Sequence, residues 1–308
     1  MAKEVSTITT GVTLPQTLEE YKALNQAERD NLTGQGGGQI GNMLPQLRIN
    51  YDSDVEVEGG ETIDVKKGTW KITTKDENGN PVIVYSKKAT IRMLLRGYRW
   101  VVWNQADERM ELLSSIFRNW GDPVVDNLGH EFAGGKFKKG VLALRPEFDP
   151  DGKTPLKCQQ VIYSLVTLEN AKDMHGKEHA VVDLPAIYIA KGSSFVAISD
   201  LFKDFSDKGQ DSGEWSISIT TERKKNGQVV FFVPIPIVED EHLYTEEEFV
   251  ILKKFEETLN FENIEVLSKY RKVIENSAAE GTADNLVDGS DLSNDFDDEL
   301  PEAMQAAE

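Results

Sequence analysis

Residues 89–104 read ATIRMLLRGYRWVVWN, and the alternation of their side chains sets the expected fold class. At a period of two, Ile91, Met93 and Leu95 share one face, and Arg92, Leu94 and Arg96 share the other. Carried past Gly97, the same alternation adds Tyr98 and Trp100 to the arginine face. Val, Tyr and Trp favour a strand, and the run is longer than a typical one. Gly97 is the natural place for a bulge or a sharp bend. Such a strand can close a core with one face. With the other it can offer guanidinium groups to phosphates and flat rings to bases. The same pattern also describes an amphipathic strand whose arginines are merely solvated.

The chain around this strand has 308 residues, 39% hydrophobic and 28% charged, which suits a globular protein with a sizeable core. No apolar run approaches the ~20 residues of a membrane helix. The start, MAKEVSTITTG, lacks the apolar core of a signal peptide. Cys158 is the single cysteine, which excludes an internal disulfide and a cysteine zinc site. It lies in an apolar alternating run, as a buried structural thiol would.

A net charge of -19 argues at first against a polyanionic partner. The charge is unevenly spread. Residues 277–308 carry ten acidic residues and no basic one, which leaves -9 for the rest. Residues 66–139 carry fourteen Lys and Arg against eight Asp and Glu. Local patches, not net charge, govern phosphate binding.

Three regions follow from composition: an N-terminal arm with a Gly-rich linker (1–44), a β-rich core with C-terminal helices (45–276) and a disordered acidic tail (277–308). In the arm, residues 18–32 read as a short helix. The Gly36-x-Gly38-x-x-Gly41 spacing that follows has no strand before it, so it is not a dinucleotide fingerprint. In the core, Asn78-Gly79 and Asn226-Gly227 are hairpin turns between alternating runs. Residues 108–120 show helical spacing of Leu112, Leu113, Ile116 and Phe117. Residues 134–139, GGKFKK, read as a basic loop. Residues 156–168 alternate as a strand. A helix capped by Ser193 or Ser194 should run to about Asp207 with Phe195, Ile198, Leu201, Phe202 and Phe205 inward. Pro234 and Pro236 end a sheet or mark its edge. Thr245 and Glu248 make a capping box that opens one helix, and a second helix covers about 262–275. Strands without a βαβ rhythm point to an α+β, mainly antiparallel protein. The expectation is an oligonucleotide-binding-like barrel elaborated with helices.

Catalytic patterns are weak. His175-Gly-Lys-Glu178-His179 matches an inverted zinc-protease spacing, but Gly176 and the flanking aspartates suggest a loop. Asp151-Gly152-Lys153 is a turn signature after Pro150. No phosphate loop or nucleophile elbow occurs. The expectation is a non-enzyme with no metal and no cofactor.

The tail carries a sharper feature. Asp295-Phe296-Asp297-Asp298-Glu299-Leu300-Pro301 resembles the C-terminal tip of bacterial single-stranded DNA-binding proteins, Asp-Phe-Asp-Asp-Asp-Ile-Pro-Phe. Here the chain runs on through Glu308 without a terminal Phe, so Phe296 and Leu300 are the apolar anchors, flanked by Asp297 and Asp298. The layout of barrel and acidic tail is also similar to the single-stranded DNA-binding proteins of tailed bacteriophages. These resemblances imply sequence-tolerant single-stranded DNA binding in DNA replication or recombination, within the host cytoplasm. The tail would dock partner proteins or compete with DNA. Arg92 and Arg96 would hold phosphates, and Tyr98 and Trp100 would stack on bases. Lys71, Lys75, Lys87, Lys88, Lys136, Lys138 and Lys139 would extend the backbone track. The alternative is a structural or assembly protein of a virion whose basic face meets another protein.

Overall fold

The computed structural model describes residues 44–279, apart from 53, 57–61, 65, 105–107 and 150–154. The N-terminal arm, the turn at 151–153 and the tail tip with Phe296, Asp297, Asp298 and Leu300 lie outside the described residues.

Strands dominate. In chain order they are β1 (Gln46–Ile49), β2 (Asp54–Glu56), β3 (Thr62–Asp64), β4 (Trp70–Lys75), β5 (Pro81–Ser86), β6 (Ala89–Asn104) and β7 (Arg109–Leu113). There follow β8 (Pro123–Val125), β9 (Glu131–Ala133), β10 (Lys157–Leu168), β11 (Lys172–Asp173), β12 (Val181–Ala190), β13 (Trp215–Asn226) and β14 (Val229–Glu241). Among the described residues three α-helices accompany them: α1 (Phe137–Leu144), α2 (Ser193–Asp207) and α3 (Glu246–Ala279). One ten-stranded sheet runs β11-β5-β4-β1-β12-β10-β6-β13-β14, with β7 also on β6. Of its pairings only β1 with β12 is parallel. The fold is therefore α+β and mainly antiparallel.

The sheet is open, so the expected barrel is not closed by a backbone ladder. It curls strongly nonetheless. Trp70 of β4 donates its indole N–H to the carbonyl of Ile219 on β13 at 2.9 Å. The Thr221 hydroxyl donates to the carbonyl of Gly68. Strands five places apart in the sheet thus meet through side chains. The curl encloses a core of Leu47, Trp70, Ile91, Ile162, Tyr188 and Ile217, lidded by Ile198, Leu201 and Phe205 of α2. Full burial of each large apolar side chain contributes ~1.5–3 kcal/mol.

β6 is a single strand, as its composition predicts, but its alternation does not survive. Met93 lies opposite Ser164 and Leu95 opposite Tyr163, so Leu94 is an extra residue in the β10 ladder. This bulge resets the side-chain parity. Before it, Ala89, Ile91 and Met93 enter the curled core, while after it Tyr98, Trp100 and Val102 enter a second core on the same side, with Phe137 and Phe195. Arg92, Leu94, Gly97 and Arg99 face α3 instead. Gly97 is not the bend; a Cβ there would sit 2.4 Å from Ile116 Cγ2 and 3.2 Å from the Phe117 carbonyl oxygen, so it is a close-approach glycine.

Residues 108–120 are not helical. β13 pairs only with residues 89–91 of β6, leaving the rest of that edge open. β7 takes it, with Val101 opposite Leu113, and Tyr98 and Phe117 exchange backbone bonds of 2.7 and 2.9 Å. The long strand's free donors and acceptors override the local helical spacing. Lys138 and Lys139 belong to α1 rather than a loop. α2 runs as expected, but Gly192 stands at its N-cap and no side chain caps it.

The capping box forms: Thr245 N donates to Glu248 Oε2 at 2.8 Å and Glu248 N to Thr245 Oγ1 at 3.3 Å. It opens one 34-residue helix instead of two. No Pro or Gly interrupts 246–279. Phe255 and Leu259 of α3 pack on Leu94, Tyr163 and Leu165. Asn263 clamps the backbone of Ile116, accepting from its N at 2.6 Å and donating to its O at 2.9 Å. Pro234 and Pro236 lie in β14, the outermost strand, as edge prolines.

Asn263→Ala strands both backbone groups of Ile116, which is 6% exposed. Each unmade buried bond costs about 1–3 kcal/mol, so the variant should lose roughly 2–4 kcal/mol. Thermal denaturation should show a melting temperature lower by roughly 5–15 °C. An unchanged melt would mean that α3 is not held on this segment.

Candidate nucleic-acid interface

The arginines of β6 are not an open binding face. Arg92 is 8% exposed, ion-pairs with Glu248 of α3, and donates to the Gly213 carbonyl at 3.0 Å. Arg99 lies 3.6 Å from Glu262 of α3 and donates to Gln159 at 3.1 Å. Burial pushes the Glu262 carboxyl above its ordinary range, while Arg99 pulls it back. Arg92 is therefore committed to the fold, contrary to its expected phosphate role.

The rings are committed too. Trp100 is 2% exposed, donates to the Gly134 carbonyl at 3.1 Å, and lies nearly parallel to Phe137 with centroids 6.3 Å apart. Tyr98 is 9% exposed and packs on Trp120 at 4.9 Å and Phe117 at 5.7 Å. Neither face is available to a base in this conformation, because the Leu94 bulge turned both rings inward. Arg96 stays half-buried, its guanidinium 3.9 Å from the Phe202 ring and 5.2 Å from Tyr98. It is held by cation–π contact rather than by a carboxylate.

The lysines divide. Lys136 precedes α1, and Lys138 and Lys139 lie in it, beside Phe137 and so at the Trp100 end of β6. Lys87 and Lys88 stand at the other end. Lys75 is exposed at the end of β4, and Lys71 pairs with Asp52 at 2.6 Å. Lys87 and Lys88 join Lys66, Lys172 and Tyr85 around a cleft of about 520 Å³. Its floor is tied together by the Ser86 hydroxyl, which bonds to the carbonyls of Lys88 and Glu169. Lys88 is neutralised by Glu169 at 2.7 Å and Glu239 at 3.2 Å, and Lys172 meets Glu178 at 3.2 Å. Lys66 and Lys87 are exposed and enter no ion pair among the described residues.

A second basic element continues from the rim. The turn carrying Lys66 and Lys67 ends at Gly68, whose φ of +84° and contact with the Phe232 ring exclude a side chain. Phe232 also meets the exposed Tyr51 edge-to-face, with centroids 5.9 Å apart. Beyond Thr221 the β13–β14 ribbon carries the exposed Arg223, Lys224 and Lys225, with Lys224 opposite Phe231. The ribbon has one acidic residue near its tip, Glu222, 3.4 Å from Lys224. Lysine cleft, Tyr51, Tyr85 and ribbon therefore adjoin. Arg223, Lys224, Lys225, Lys66, Lys172, Tyr51 and Tyr85 are absent from the sequence-based candidates. Their one signal is the RKKNG run, which reads there only as a turn.

The other chemistry resolves simply. The carboxylate of Asp173 accepts from the backbone of His175 at 2.8 Å and Lys177 at 3.0 Å, and lies 2.8 Å from His179 Nε2. The histidine motif is a turn organised by Asp173, not a helix face. Cys158 is buried, and burial pushes its thiol up to about 12.

No protein-family model, curated protein or solved structure matches the chain.

Trp100→Ala should cost about 3–5 kcal/mol by opening a core cavity, read as a shifted denaturant midpoint. A variant as stable as the parent would put Trp100 at the surface. Cys158 should resist a thiol-specific reagent at pH 8 until the protein is unfolded, because the thiolate is the nucleophile. Rapid labelling of the native chain would contradict its burial.

Proposed function

We propose that this chain binds single-stranded DNA without sequence preference, along the lysine cleft and the β13–β14 ribbon. The observation that carries the reading is the continuity of Lys66, Lys87 and Tyr85 with Tyr51 and Arg223–Lys225 across the Gly68–Thr221 contact. Lysines supply a backbone track that tolerates any sequence, and the partly exposed rings supply stacking worth ~1–3 kcal/mol per base. The resemblance of the acidic tip to single-stranded DNA-binding proteins points the same way, as does a strongly curled antiparallel sheet read as oligonucleotide-binding-like. Replication or recombination is the setting this implies.

The test is a fluorescence titration with labelled oligo-dT across a salt series. Lys66→Glu with Lys87→Glu, and separately Lys224→Glu with Lys225→Glu, should each weaken binding at least tenfold at low salt. Each lost phosphate contact should reduce the salt slope by about 1. No binding by the parent chain would remove the DNA reading and leave a basic face that meets another protein, as in an assembly protein.

The tail enters as a competitor. Removing residues 280–308 takes away all ten tail acids while keeping α3 whole. It should tighten oligo-dT binding at low salt and have no effect at high salt. The Debye length shrinks from ~30 Å at 0.01 M to ~3 Å at 1 M. Equal affinities at every salt concentration would leave the tail with partner docking alone.

A further inference from the structure

We infer that the corner where β14 meets α3 is a docking surface for a cationic amphipathic segment of another protein. Thirteen large hydrophobic residues are exposed among the described residues, and five of them lie within residues 235–250. Leu243 is 75% exposed, Ile237 55%, Val250 54% and Phe249 51%, with Ile235 beside them on β14. Apolar exposure gathered on so short a length of chain is what interaction sites show. The same sixteen residues hold six Asp and Glu and no Lys or Arg. Of the six, Glu248 is spent on Arg92 and Glu239 on Lys88, while Asp240, Glu241, Glu246 and Glu247 are exposed.

The surface is rigid as well as sticky. β14 is anchored at its end by Trp215 opposite Glu241, and the connection is pinned where His242 N donates to the Glu214 carbonyl at 2.6 Å. The Thr245–Glu248 capping box fixes the first turn of α3, and Tyr244 packs against Phe249 with centroids 5.3 Å apart. The mode of docking is also constrained. Pro234 and Pro236 occupy alternate positions on the outermost strand, opposite Thr221 and Ile219. In the ladder such prolines turn their nitrogens outward, which strips two donors from the free edge. Addition of a strand is thereby disfavoured, and the partner must be held by side chains. Apolar anchors flanked by four carboxylates, unpaired among the described residues, select a segment that alternates leucine-type residues with Lys or Arg.

The probe is a fluorescein-labelled peptide of Leu and Lys at helical spacing, with a scrambled peptide of the same composition, titrated into the full chain. Any acidic region, the tail included, attracts both peptides alike, so the decisive readout is the difference between them. The patterned peptide should bind at least tenfold more tightly than the scrambled one. Leu243→Ser with Val250→Ser should abolish that preference while leaving the melting temperature and oligo-dT affinity unchanged. Asp240→Asn and Glu241→Gln together should flatten its salt dependence. Equal binding of the two peptides, or a preference that survives the serine pair, overturns the proposal. So does a preference seen only after residues 1–43 are removed, which would make that segment the occupant. Salt-sensitive self-association abolished by Lys224→Glu with Lys225→Glu would instead assign the surface to a second copy, and overturns it equally.

Discussion

Arg92 and Arg99 sit within the sheet, and the fold depends on neutralising them. Taking a guanidinium out of water costs several kcal/mol even after relaxation, and the cost is offset only by a well-placed carboxylate and further hydrogen bonds. α3 supplies both carboxylates, Glu248 in its first turn and Glu262 fourteen residues later. A helix pinned at two such points cannot slide or rotate, and its register fixes what lies between. Phe255 and Leu259 then cover Leu94 and Tyr163, and Asn263 reaches Ile116. The ion pairs do more for register than for net stability, since an apolar replacement of both partners is often no weaker.

The second constraint is the extra residue at Leu94. A period-two pattern carries meaning only while the register holds, and one inserted residue exchanges the two faces. Ile91 and Trp100 share a side of the sheet although their spacing in sequence is odd. The two bulky cores, one around Trp70 and one around Trp100, can then both be built from a single sixteen-residue strand. Nothing in the residues at 93–95 marks the bulge, because Met, Leu and Leu suit either face. Gly97, the residue that invites a bulge, is explained instead by the close passage of Ile116 and Phe117.

Much of the scaffold was legible because its signals are local. Both Asn-Gly hairpins, the capping box, the inward face of α2 and the edge prolines each rest on a few adjacent residues. The failures are tertiary. Residues 109–113 pair as a strand because β6 left an edge unfilled, and 246–279 stays helical because no residue there breaks it. The site follows the same division. Lys87 and Lys88 were visible as a cluster, but Lys172 joins them only through the β11–β5 pairing, opposite Tyr85, and Lys66 meets the ribbon only through the curl that brings Gly68 to Thr221, 153 positions apart. Arginines and aromatic rings on one strand looked like a binding face, whereas their partners, Glu248, Glu262, Phe137 and Phe202, lie 37 to 163 residues further along the chain.

In the proposed binding mode, nucleic acid meets the lysine cleft and ribbon while the aromatic rings of β6 serve the core. Photo-crosslinking of the full chain to oligo-dT, with the crosslinked residues located by mass spectrometry, tests this most directly. Crosslinks are expected at Tyr51, Tyr85 or Phe231. Crosslinks concentrated at Tyr98 or Trp100 would contradict that mode, and would require the β6 face to open when DNA binds.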